Sequence, residues 1–112
     1  MSKMQRDKGA QFEREVCAVF SAMLGRKITR VLGQARDGGG DIDLGGIQVE
    51  CKRRKSMKVV YSWWKQTNVS AAPTGSLPTM VLRADGEEAL FVCRLEDLPA
   101  VAARILREQL LS

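Results

Sequence analysis

Glu50 and Lys52 stand two residues apart in the stretch Ile47-Gln48-Val49-Glu50-Cys51-Lys52, shortly after Asp41-Ile42-Asp43-Leu44. On an extended strand alternate residues share a face, so a carboxylate and an ammonium project together about 6.5–7 Å apart. An Asp on one strand and a Glu on its neighbour can share one hard cation. Oxygen ligands without imidazole or thiolate favour Mg²⁺, with Mn²⁺ as a substitute. Such an ion activates water and neutralises charge on a phosphate. The same residues also read as an amphipathic hairpin whose polar face meets water, and on residue types alone both readings stand. The chain has no histidine. That excludes a Ser-His-Asp triad, a Cys-His pair, a histidine base and any His-ligated zinc site. Any tyrosine-nucleophile chemistry would rest on the single tyrosine, Tyr61.

The elements that must position these groups follow from pattern. Gly45-Gly46 lies between two alternating runs, 41–44 and 47–52, and predicts a hairpin turn. Its apolar face would be Ile47, Val49 and Cys51, with Gln48, Glu50 and Lys52 opposite. Alternation likewise sets Asp41 and Asp43 apart from Ile42 and Leu44. Asp37-Gly38-Gly39-Gly40 predicts a turn before the hairpin, and residues 26–34 a short strand. Residues 8–25 read as a helix, with Phe12, Val16, Val19, Phe20 and Met23 at helical spacing and Gly25 as its stop. At ~100° per residue, Glu13 falls inside the apolar arc, while Arg14 and Glu15 fall outside it. An inward carboxylate needs a cation, a metal or a donor. Alternatively, Glu13 sits at the helix start and favours the positive end of the dipole.

Further along, 58–72 suits a second helix and Pro73 to Pro78 a loop. Thr79–Arg83 and Ala89–Arg94 predict strands joined at Asp85-Gly86. Asp97 would cap a final helix with Pro99 in its first turn. The order is α-βββ-α-ββ-α, an α/β chain of a size that suits one domain.

Of the formal net charge of +5, residues 1–66 carry 14 Lys and Arg against 7 Asp and Glu, whereas 67–112 carry 4 against 6. The run Lys52, Arg53, Arg54, Lys55 and Lys58 lies in the basic half, and a basic surface suits a polyanion such as nucleic acid. Cys17, Cys51 and Cys93 are widely spaced, odd in number and without a CxxC, as expected of thiols in a reducing compartment. No apolar run reaches membrane-spanning length and the N-terminus lacks a signal-peptide core, so the expected location is cytoplasmic.

An Asp, then about ten residues, then Glu-x-Lys on a strand, preceded by a helix with an inward Glu, resembles the PD-(D/E)xK nuclease superfamily. Lys8-Gly9-Ala10-Gln11-Phe12-Glu13-Arg14-Glu15 is similar to the KG-x-x-x-ERE signature of archaeal-type Holliday junction resolvases, and small phage-encoded nucleases carry similar segments. Gly38-Gly39-Gly40-Asp41-Ile42-Asp43-Leu44 and Val49-Glu50-Cys51-Lys52-Arg53 resemble their second and third motifs. Trp63-Trp64-Lys65-Gln66 falls where such nucleases often have a glutamine-bearing helix. Gly40 departs from the proline or serine that often precedes the aspartate, and the Arg30–Asp41 spacing is a few residues longer than the family pattern. The resemblance covers roughly residues 8–94.

The resemblance implies a single restriction-endonuclease-like nuclease domain over residues 1–112, a mixed β-sheet flanked by helices. The implied activity is Mg²⁺-dependent cleavage of DNA, preferentially branched or four-way junction DNA, in recombination and repair. Glu13, Asp41, Glu50 and Lys52 would be catalytic. Asp41, Glu50 and the Cys51 backbone carbonyl would hold the metal, with Glu13 holding a second or water-mediated ion or positioning Lys52. Asp41 is preferred to Asp43 because it follows the glycine turn and precedes an apolar residue. Arg14, Arg30, Arg53, Arg54, Lys55 and Lys58 would bind DNA, with Gln66 auxiliary. Alternatives are a restriction-type or single-strand nuclease of the same superfamily, or a non-catalytic DNA-binding protein. Trp63 and Trp64 could stack on bases or pack in the core. Two cuts of opposite polarity need two sites, which a homodimer supplies. The final helix, with Val101, Ile105, Leu106, Leu110 and Leu111, offers apolar surface for it, or else closes the monomer core. A phage-encoded protein of this kind would act in the host cytoplasm.

Overall fold

The computed structural model describes residues 2–32 and 41–112. The predicted turn at 37–40 and the end of the predicted first strand lie outside the described residues. Chain contacts divide the protein into two compact units, Met1–Lys55 and Ser56–Ser112.

In the first unit, α1 spans Lys3–Leu24 and starts five residues before the predicted helix. A capping box explains the extension: the Ser2 side chain accepts the Gln5 N–H, and the Gln5 side chain accepts the Ser2 N–H, both at 3.2 Å. Capping satisfies orphan amides without any apolar contact, so a polar opening turn is stable. Gly25 ends the helix at φ 68°, a left-handed conformation that suits glycine. The buried stripe of α1 is Glu13, Val16, Cys17 and Phe20. Ser21 ties the next segment to the helix: its hydroxyl accepts the Ile28 N–H at 2.8 Å.

The hairpin forms as β1 (Ile42–Asp43) and β2 (Gln48–Val49), antiparallel, with Ile42 opposite Val49 and Asp43 opposite Gln48. Gly45 and Gly46 have φ of 70° and 100°, and the Leu44 N–H closes the turn on the Ile47 carbonyl at 2.9 Å. Two consecutive positive φ values are the geometry of a type I′ turn. The predicted strand 26–34 is present, among the described residues, only as a bridge between Arg30 and Ile42 plus a Val31 N–H to Asp41 carbonyl bond of 3.0 Å. Ile42 is fully buried and Ile28 nearly so. Ile47 is exposed, contrary to the expected apolar face, because it abuts the two-residue turn at the tip of the hairpin.

In the second unit, α2 spans Lys58–Ala71 and runs into a 3₁₀ turn at Ala72–Thr74, closed by Gly75 at φ 66°. Then β3 (Thr79–Leu82) pairs antiparallel with β4 (Leu90–Cys93), from Thr79 opposite Cys93 to Leu82 opposite Leu90. A 3₁₀ turn at Leu95–Asp97 leads into α3 (Leu98–Leu111). Asp97 does not cap α3 with its side chain as expected. It already has helical backbone angles, and its Oδ1 accepts Arg94 Nη2 at 3.0 Å instead. Met80 and Val101 are the buried apolar residues of this unit.

The class is therefore mixed α and β, with three helices and two small antiparallel pairs. The expected mixed sheet is not found: among the described residues every pairing is antiparallel.

Candidate active site

Three elements of the first unit converge on Asp41. It sits at the mouth of the hairpin and is only 6% exposed. Its N–H donates to the Val49 carbonyl at 2.9 Å, although Val49 is already the register partner of Ile42. Two residues facing one is the count of a β-bulge, which re-aims side chains. Its carbonyl accepts the Val31 N–H, and its Oδ2 accepts the Cys51 N–H at 2.7 Å. The carboxylate is thus anchored by a charge-assisted backbone bond across the hairpin. The predicted second strand is shorter than expected, ending at Val49 rather than Lys52.

Asp43 is placed differently. Simple alternation puts it on the same face as Asp41, yet Asp43 is exposed while Asp41 and Ile42 are both buried. The bulge breaks the period of two. Asp43 Oδ1 accepts the Gly45 N–H at 2.9 Å and the Gly46 N–H at 3.4 Å, an Asx arrangement that shapes the glycine turn.

Glu13 does face inward, at 7% exposed. Its Oε2 meets Arg30 Nε at 2.6 Å, so the cation that an inward carboxylate needs comes from the segment after α1. Arg30 in turn bridges to Ile42, the neighbour of Asp41. One helical turn beyond Glu13, burial pushes the Cys17 thiol up, with Arg30 lowering it and Glu13 raising it to lesser extents.

Glu50 and Lys52 are exposed, with Lys52 Nζ 4.0 Å from Glu50 Oε2. Arg14, Arg53, Arg54, Lys55 and Lys58 are also exposed, and Arg54 Nη1 donates to the Arg53 carbonyl at 3.1 Å. Lys58, Trp63, Trp64 and Gln66 belong to α2 in the second unit. Trp64 is half-buried, whereas Trp63 and Gln66 are exposed. Beyond the expected residues, the structure adds the backbone N–H groups of Cys51 and Val31. Residue types could not have flagged these, because any non-proline residue supplies the same donor.

By donor type, the Asp41 and Glu50 carboxylates and the Cys51 carbonyl are hard oxygen groups of the kind Mg²⁺ takes. Among the described residues no group of three or more Asp, Glu, Cys or His side chains gathers for a metal. Such a sparse set is ordinary for Mg²⁺, which keeps several waters. Among the described residues no helix is long and apolar enough to cross a membrane.

Compared with known proteins, residues 4–109 match a family model described as "Phage putative PDDEXK endonuclease". No curated protein and no solved structure matches the chain. Since the match takes in the helix of Glu13, the hairpin of Asp41 and Glu50 and nearly all of α3, the chain belongs to this family of phage PDDEXK endonucleases.

Proposed function

We propose that the protein is a Mg²⁺-dependent DNA endonuclease that resolves branched DNA, four-way junctions in particular, as a homodimer in recombination or repair. The observation that carries this reading is the anchored Asp41 carboxylate, fixed on Cys51 N–H one residue from Glu50 and Lys52. Asp41, Glu50 and the Cys51 carbonyl would hold Mg²⁺ or Mn²⁺. When bound, the ion supplies Lewis-acid activation of water and neutralises phosphate charge. Asp41 enters this site pre-positioned, because a buried carboxylate with a backbone donor pays little to stay in one rotamer. Lys52, reaching out on an exposed stem, donates from Nζ to a non-bridging phosphate oxygen or to the attacking water. Glu13 and Arg30 hold the strand beside Asp41 through their ion pair. Arg14, Arg53, Arg54, Lys55 and Lys58 bind backbone phosphates, which gives affinity without sequence information.

The test is cleavage of a labelled four-way junction beside duplex, flap and single-stranded DNA, with Mg²⁺ or with EDTA. Paired symmetric cuts in the junction, absent with EDTA, support the reading. Equal cutting of every shape would reduce it to a general endonuclease. Absence of cutting with either ion, by protein that still binds DNA, would leave a non-catalytic binder.

A further inference from the structure

Helix α2 has no buried residue. Its half-buried positions, Val60, Trp64, Thr67 and Ala71, fall four, three and four residues apart and mark one stripe. Helical geometry sets the opposite face as Lys58, Ser62, Lys65 and Val69, with Tyr61 on its flank, all of them exposed. Tyr61 is 55% exposed, and it has a lysine one turn before it and another one turn after it. No Asp or Glu occurs anywhere from Cys51 to Ala84. The face is therefore cationic, free of internal ion pairs among its own side chains, and edged by a solvent-exposed ring that lies between the two lysines along the helix.

Two lysines without acids ask for a polyanion. A ring held between them asks for a flat apolar partner at the spacing of charged groups. Single-stranded DNA supplies both at once, since phosphates recur along the strand and each unpaired base offers a π-face. Paired bases keep their faces stacked in the duplex and cannot meet Tyr61. We infer that this face of α2 is a binding surface for unpaired DNA, with Tyr61 stacking on a base and Lys58 and Lys65 contacting the flanking phosphates. The inference rests on the endonuclease reading for its choice of DNA, and it adds to the branched substrate an unpaired segment, as at a fork or a single-stranded end.

The experiment uses the full chain in EDTA, so that binding is read without cleavage. Fluorescence anisotropy is measured with a labelled single-stranded oligonucleotide, a matching duplex and a fork. Tyr61→Ala should weaken single-strand binding about tenfold or more and duplex binding by less than about twofold. Tyr61→Phe should bind as the parent does, because the ring and not the hydroxyl makes the contact. Lys58→Ala and Lys65→Ala should each flatten the single-strand salt dependence by about 0.7 in the log–log slope. Parent-like single-strand binding by Tyr61→Ala overturns the inference, as does an equal loss on duplex, or a Tyr61→Phe loss equal to that of alanine. If Tyr61→Ala fails to fold, Lys65→Ala decides, because Lys58 already serves the backbone in the proposed function, and an unchanged slope for Lys65→Ala overturns the inference. Failure of the endonuclease reading is separate: it would show as absence of cleavage with Mg²⁺ while these binding differences persist.

Discussion

The Asp41 carboxylate accepts the Cys51 N–H across the hairpin at 2.7 Å, so one side chain of the candidate site also closes the backbone around it. Asparagine keeps an oxygen for that bond and alanine does not. Asp41→Asn should therefore fold and melt within a few degrees of the parent while losing at least roughly a hundredfold in cleavage rate. Asp41→Ala should in addition lose about 1–3 kcal/mol of stability, because a buried amide is left without its acceptor. Asp43→Asn keeps an acceptor for Gly45 and should leave cleavage within about twofold. Cleavage assays and urea titrations on the three variants check this. A larger activity loss from Asp43→Asn than from Asp41→Asn would reverse the choice of aspartate.

Glu50 and Lys52 separate chemistry from stability more cleanly. Their contact is 4.0 Å long between exposed groups, and such pairs contribute about 0–1 kcal/mol. Glu50→Gln and Lys52→Ala should each abolish cleavage with a stability change of about 0.5 kcal/mol or less. Full activity in Glu50→Gln would detach the nuclease activity from this hairpin.

The Glu13–Arg30 pair is a different matter, at 2.6 Å and largely enclosed. Glu13→Gln and Arg30→Met should each destabilise the fold by about 1–3 kcal/mol, since each leaves a partner without its charge. The double variant should cost clearly less than the two single losses added together. Strict additivity in urea unfolding would mean that the two side chains act independently.

How far the sequence carries is visible at individual residues. The wheel places Glu13 in the apolar arc because it needs only regular helical geometry, yet it leaves a helix-start role open, and the burial of Glu13 decides for the inward one. The hairpin was legible from Gly45-Gly46, because positive φ leaves little choice of residue. The contrast between Asp41 and Asp43 was not, because alternation assumes an unbroken ladder and the bulge at Asp41 breaks it. The opening of α1 was missed because Ser2 and Gln5 extend it through capping, which leaves no apolar period to read. Arg30 matched an arginine of the resemblance, yet its partner, 17 positions away, is a tertiary fact that spacing cannot give.

The thiols give the protein a pH dependence at the alkaline end. Burial raises Cys17, and burial followed by the nearby Asp97 raises Cys93. A raised folded pKa means the unfolded chain gives up these protons first as pH climbs. Their contribution to stability is therefore present below the ordinary thiol range, about 8.5, and is lost as pH rises through it and on to the folded values. The double variant Cys17→Ala, Cys93→Ala should be less stable at pH 7 but should lose less stability than the parent between pH 8 and 10. Parallel pH curves for the two proteins would show that the thiols play no part.

The proposed homodimer makes α3 the next surface to change. Ile105, Leu106, Leu110 and Leu111 are all exposed, Leu110 at 86%, whereas Val101 alone on this helix is buried. Leucines left in water on a folded helix gain from a partner at about 25 cal/mol per Å² of apolar area covered. A second copy can offer the same stripe back across a two-fold axis. The Leu106→Asp, Leu110→Asp double variant should then fold, since neither side chain is buried, yet shift from dimer to monomer by light scattering at micromolar concentration. Junction cutting should fall from paired cuts to single nicks. A dimer that survives this change, with its helix content intact, would place the interface elsewhere on the chain. A parent protein that stays monomeric with and without DNA would point instead to a nuclease that cuts one strand at a time.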